Sequence, residues 1–170
     1  MPIGSPQWMY ASGEDYNIPY SCRFNYTDHF LYRTPGSAGN LRTWTWSAWV
    51  KRGTNVGGNQ HMLHVYTTQN ERGNITLNSD NTLYWHAGDV SNYRWYTKNT
   101  FMDHSSWYHL VCAMDTTHNT AADRMIIYIN GVRETEHSGS KLNPTQNYDG
   151  LINAALQHEI GGRDGSGDWF

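Results

Sequence analysis

Residues 42–51 read RTWTWSAWVK, and this run decides the fold. In an extended chain successive side chains point to opposite faces. Trp44, Trp46, Ala48 and Val50 therefore share one face, and Thr43, Thr45, Ser47 and Trp49 share the other. The first face is large and apolar, which predicts a strand lying on a core. Residues 107–115, WYHLVCAMD, make a second run of this kind. Residues 123–136, DRMIIYINGVRETE, carry alternating apolar residues around Asn130-Gly131. An Asn-Gly pair between such arms predicts a two-residue type I′ hairpin, because both turn positions need positive φ. Trp44, Trp46, Val50, Val111, Met125, Ile127 and Ile129 are expected to be buried together between two antiparallel sheets.

The rest of the chain repeats the pattern of short strands and polar turns. Residues 21–26 and 29–33 are β-prone, and Thr34-Pro35-Gly36 closes the second run. Residues 53–59 form a glycine-rich loop, followed by strand candidates at 61–67, 74–77 and 82–86 with turns at 70–73 and 78–81. Residues 89–97 mix polar and aromatic side chains and are placed at a loop or sheet edge. Residues 151–155 read as a short turn or helical piece, and Glu159-Ile160 begins a final strand. With no long helical periodicity, the fold class is all-β: an antiparallel β-sandwich or jelly roll. A chain of 170 residues has material for one core.

Composition supports this and excludes several functions. Charged residues are 16% of the chain, against roughly 25% in ordinary soluble domains, and aromatics reach 14%. The core must therefore be built largely from rings. A net charge of -3 supplies no basic cluster for phosphate backbones or anionic lipid, so neither nucleic acid nor membrane insertion is expected. No stretch approaches the roughly 18 apolar residues of a membrane span, and a soluble chain without a secretory signal of its own is expected. Cys22 and Cys112 are the two cysteines, read as reduced and apolar-facing rather than bridged. Residues 1–20 read as an extended arm broken by Pro2, Pro6 and Pro19. Trp8, Tyr10 and Tyr16 in that arm are expected to make subunit contacts, since a solvated tail seldom carries so many rings; the competing reading is a loose terminus.

Three ordered segments then carry a resemblance: RTWTWSAWVKRG at 42–53, SSWYHLVCAMDTT at 105–117 followed by DRMIIYINGVRET at 123–135, and HEIGGRDGSGDWF at 158–170. Together they resemble the landmarks of laminin-G-like domains of the concanavalin A-like group, over residues 21–170. The opening from Ser21 to Gly53 is similar to laminin-G-like proteins of tailed bacteriophages, especially marine ones. That resemblance implies a structural or attachment protein displayed on a virion tail or capsid, assembled in the host cytoplasm, with other virion subunits or copies of itself as partners. It also implies a closing strand containing Phe-Asp-Gly, which this sequence lacks after Asp168-Trp169-Phe170. The expectation is that residues beyond Phe170, a neighbouring subunit or the arm supplies it, because an open sheet edge invites pairing.

Catalytic and metal signatures are weak. The Glu-x-Asp-x-x-Glu strand of glucanase relatives is absent. Glu134 and Glu136 are the nearest substitute, about 6.6 Å apart along an ideal strand, but they read as solvated edge charges. No nucleophile elbow, phosphate loop or dinucleotide fingerprint occurs, so the chain is expected not to be an enzyme. His61 and His64 are three apart, which on a regular strand sends them to opposite faces. Asp164, Ser166 and Asp168 alternate in a glycine-rich stretch and are the candidate calcium ligands; a plain turn is the alternative, since no bidentate Glu follows. Apart from calcium no cofactor is expected. Trp85, Tyr93, Trp95 and Tyr96, with Asp89 and Asn92, are the candidate glycan-binding residues, because flat rings beside polar groups stack on sugars and bond their hydroxyls; the alternative is that these rings fill the core. A free carbohydrate-binding lectin and a glycoside hydrolase are the rival functions.

Overall fold

The computed structural model describes residues 20–24, 29–53, 58–68, 70–89, 91–139 and 141–163. Its strands are β1 (Leu31–Arg33), β2 (Thr43–Lys51), β3 (Gln60–Thr68), β4 (Glu71–Leu77), β5 (Thr82–Asp89), β6 (Arg94–Thr100), β7 (Trp107–Asp115), β8 (Met125–Ile129), β9 (Val132–Arg133) and β10 (His158–Ile160). They form a six-stranded sheet, β1-β10-β3-β4-β5-β6, and a four-stranded sheet, β2-β7-β8-β9. Every pairing is antiparallel. A single 3-10 turn at Ala121–Asp123 is the only helical element among the described residues. The all-β sandwich expected from alternation is what the chain forms.

β2 shows how the sequence sets the layers. On its inner face Val50 is buried, and Trp44, Trp46 and Ala48 pack against the core partly buried rather than fully buried as expected for the two tryptophans, while Trp49 on the outer face is 57% exposed. β7 pairs along the whole of β2, with Trp44 opposite Met114, Trp46 opposite Cys112 and Ala48 opposite Leu110. This register corrects one expected core residue. Val111 sits opposite Ser47 and points outward; Leu110, Cys112 and Met114 are the buried residues of β7. Met125 and Ile127 are fully buried and Ile129 packs partly buried against the core, as expected. Asn130 (φ 52°) and Gly131 (φ 81°) join β8 to β9 with both residues at positive φ, the condition for the type I′ turn.

Other differences are local. Residues 21–24 form no strand; Cys22 is exposed and Cys112 buried, and both are free. β4 begins at Glu71, so the turn before it is shorter than the expected 70–73. Residues 94–100 form a true strand, β6, at the edge of its sheet. The arm, residues 1–19, lies outside the described residues, and Trp8, Tyr10 and Tyr16 with it.

One buried charge holds the turns. Arg52, 1% exposed, donates to Gln60 Oε1 at 2.7 Å, to the Phe101 carbonyl at 3.2 Å and to the side chain of Asn81. A buried guanidinium is tolerable only when its donors are used, and here it ties the end of β2 to the loops flanking β5 and β6.

The register predicts unequal costs for neighbouring truncations. Ile127→Ala, which opens a cavity in the core, should cost about 2–5 kcal/mol in urea unfolding, and Val111→Ala about 1 kcal/mol or less. Equal losses would contradict the assignment of faces.

Candidate functional site

The six-stranded sheet has an apolar inner face, with Leu63, Val65, Ile75, Leu77, Leu83 and Trp85 in the core. Alternation sends the intervening side chains to the opposite face, where they are polar. Strand register lines them up in two rows. One row runs Glu159, His64, Asn74, His86, Arg94 across β10, β3, β4, β5 and β6. The next runs His61, Thr76, Tyr84, Tyr96 across β3 to β6.

The two histidines share this face because β3 is not regular. A register shift between His61 and Leu63 makes Met62 an extra residue, so His61 pairs with Thr76 and His64 with Asn74. Their rings lie 5.2 Å apart. The expectation that odd spacing separates them is corrected: a bulge converts a spacing of three into the equivalent of two.

A polar face is ordinarily wet, but this one is buried. His61, His64, Asn74, Thr76, Tyr84, His86 and Glu159 are each no more than 6% exposed. Several polar atoms are engaged: His61 Nδ1 with Thr76 Oγ1 at 2.7 Å, Asn74 Nδ2 donating to Thr76 Oγ1 at 2.9 Å, and Tyr96 Oη with His86 Nε2 at 3.4 Å. His64 Nδ1 lies 3.2 Å from Glu159 Oε2, while Gln157 donates to Glu159 Oε1 at 2.7 Å. Tyr84 stacks on Tyr96 with centroids 5.4 Å apart. Other atoms are buried with no hydrogen-bond partner: His64 Nε2, Asn74 Oδ1, His86 Nδ1 and Arg72 Nε. Each such atom costs about 1–3 kcal/mol relative to a satisfied one, and these four lie together on one face of the sheet.

A family model of the concanavalin A-like lectin/glucanases superfamily, of laminin-G type, matches residues 26–170. The chain belongs to this superfamily. No curated protein matches it.

Within this concanavalin A-like sandwich, the residues expected to bind glycan do not form one surface. Trp85 (0% exposed) and Trp95 (1%) lie in the core. Trp85 meets Trp44 edge-on, and Trp95 carries Lys141 Nζ 3.7 Å above its ring. Lys141 also donates to the carbonyls of Ala122 and Met125, and burial lowers its pKa to about 8. Tyr96 alone of the set belongs to the polar face. Tyr93 packs on Tyr148 at 4.4 Å in the turn after β5, where Asp89 accepts from Asn92 Nδ2 and the Ser91 amide. These hydrogen bonds hold the Asp89 carboxyl below its usual range and shape the turn. Asp164, Ser166 and Asp168 lie outside the described residues, among which no group of three or more His, Cys, Asp or Glu is arranged to hold a metal ion.

Glu134 and Glu136 also serve structure. β9 ends at Arg133, so neither carboxylate stands on a strand. Glu134 is buried and accepts from Asn99 Nδ2 and the Glu136 amide, and Glu136 pairs with Lys98 at 3.3 Å on the surface.

The polar rows were detectable in part as alternation: Asn74 and Thr76 flank Ile75, and Tyr84 and His86 flank Trp85. Recognising a row across five strands needs the pairing register, which sequence spacing does not supply.

Burial, then the charges of Arg72, Arg94 and His61, push His86 down from 6.5 to about 3. The folded protein keeps this ring neutral while the unfolded chain protonates it near 6.5. Between those values the unfolded state binds the extra proton, so stability falls as the pH is lowered through this window. Urea unfolding of a His86→Gln variant should show a shallower loss of stability from pH 6.5 downward than the parent; parallel slopes would refute the neutral, buried ring.

Proposed function

We propose that the chain is a non-enzymatic attachment module, displayed on a virion surface, that binds glycans through the polar face of its six-stranded sheet. The observation that carries the glycan reading is the pairing of buried, unpartnered polar atoms with stacked tyrosines on one face. A sugar hydroxyl both donates and accepts, which suits a mixed set: Asn74 Oδ1 accepts, Arg72 Nε donates, and His64 Nε2 and His86 Nδ1 do either according to tautomer. Pyranose rings also present C–H faces that pack on aromatic rings. Tyr96, Arg72 and Arg94 are half-buried and are the more exposed side chains of this face.

Support for the non-catalytic reading comes from the carboxylates. Carboxylate-pair hydrolysis needs two groups facing one bond at about 5–9.5 Å. Among the described residues of the two polar rows Glu159 is the one carboxylate, and His64 and Gln157 engage its oxygens. Virion display rests on the likeness of residues 21–53 to laminin-G-like phage proteins.

A glycan array probed with the purified chain should give binding that weakens about tenfold in Tyr96→Ala and Asn74→Ala, corresponding to about 1.4 kcal/mol. Trp49→Ala, on the other sheet, should bind as the parent does. No glycan bound by the folded chain would refute the reading. Release of reducing ends from a bound polysaccharide would replace it with a hydrolase.

A further inference from the structure

The four-stranded sheet ends at β2, which pairs with β7 on one side alone among the described residues. Thr116 N–H donates to the Arg42 carbonyl across the β2–β7 seam at 2.9 Å. Antiparallel alternation then turns the backbone groups of Trp44, Trp46, Ala48 and Val50 toward β7 and those of Thr45, Ser47 and Trp49 toward the open side. Beside this edge runs a groove of about 720 Å³ between the sheets, with Trp46, Ala48, Val50 and Met62 from the core face and Ile160 from β10 in its walls. Among the described residues Lys51 is the one charged side chain lining it. Around its mouth Tyr20 is 86% exposed, Trp49 57% and Trp107 49%, a patch of the kind that marks a protein contact.

We propose that this edge is the contact surface for a second copy of the chain, joined through antiparallel β2–β2 pairing about a two-fold axis at Ser47. The sequence of β2 is complementary to itself in that register. Ser47 faces Ser47 of the second copy, and Thr45 faces Trp49 of the second copy, so the outward-turned amides and carbonyls meet as hydrogen-bonded pairs. On the core face Trp46 falls opposite Ala48 of the second copy and Trp44 opposite Val50 of the second copy, large against small. Lys51 faces Thr43 of the second copy, which keeps the two ammonium groups at opposite ends of the seam. The apolar row of each β2 then continues across the axis and roofs the neighbouring groove. A two-fold contact of this kind is isologous and closes on itself, giving a dimer rather than a filament.

Sedimentation equilibrium of the whole chain tests this, together with Ser47→Pro and Ser47→Lys. Proline at 47 removes an outward N–H and leaves the β2–β7 ladder its bonds; S47K sets two ammonium groups against each other at the axis. The parent should sediment as a dimer whose Thr45 and Trp49 amides resist hydrogen exchange, and both variants as folded monomers in which these amides exchange. If Ser47→Pro fails to fold, Ser47→Lys alone decides. A parent that stays monomeric at every concentration overturns the proposal, including one whose edge amides are protected, since another segment of the chain then occupies the edge. A dimer unmoved by either substitution overturns it as well.

Discussion

Trp44 projects from the four-stranded sheet and Trp85 from the six-stranded sheet, and their rings meet edge-on with centroids 5.4 Å apart. Two rigid rings in contact set the separation of the layers and the rotation of each strand about its own axis. A one-residue slip of β2 would carry Trp44 and Trp46 to solvent and bring Thr45 and Ser47 inside. The same constraint acts on β5: with Trp85 inward, Tyr84 and His86 must point away from the core. The polar face is thus a consequence of the packing on its reverse side.

That face runs against the usual economy of a β-sandwich. Outer sheet faces hold polar residues because water satisfies them, yet here Asn74 and Thr76 are wholly buried and His86 nearly so. Burying unsatisfied groups costs stability, and the core of large side chains beneath them supplies the offset. Keeping His86 neutral lowers that cost, because an uncharged ring loses less on leaving water than a charged one. What results is a field of donors and acceptors across five strands, with Glu159 at one end and Arg94 at the other.

The architecture was legible where one face of a strand is apolar, as in β2, β7 and the β8–β9 hairpin, because periodicity alone tells inside from outside there. Val111 was misplaced since WYHLVCAMD is apolar at both parities, so pairing with Ser47 rather than composition settles its side. β6 was hard to read for the opposite reason: Thr97 is fully buried beside Trp95, and a buried threonine looks like a surface one in sequence. The candidate site was mostly hidden. Trp85 and Trp95 drew attention as large rings, but large rings are what a core of this composition is made from. The residues that define the polar face lie far apart in sequence, from His61 to Glu159, and strand order brings them together.

The bulge in β3 bears on how such a protein can change over evolutionary time. Met62 is the surplus residue, and it faces inward with Leu63, forming part of the groove beside β2. Losing its codon would restore plain alternation with His61 and His64 still side by side, since the strand would simply close up to the register that the bulge already imitates. The polar rows would survive and the groove would deepen. The two surfaces can therefore be edited separately, one by gain or loss of a single residue at the bulge and the other by replacing side chains along fixed rows.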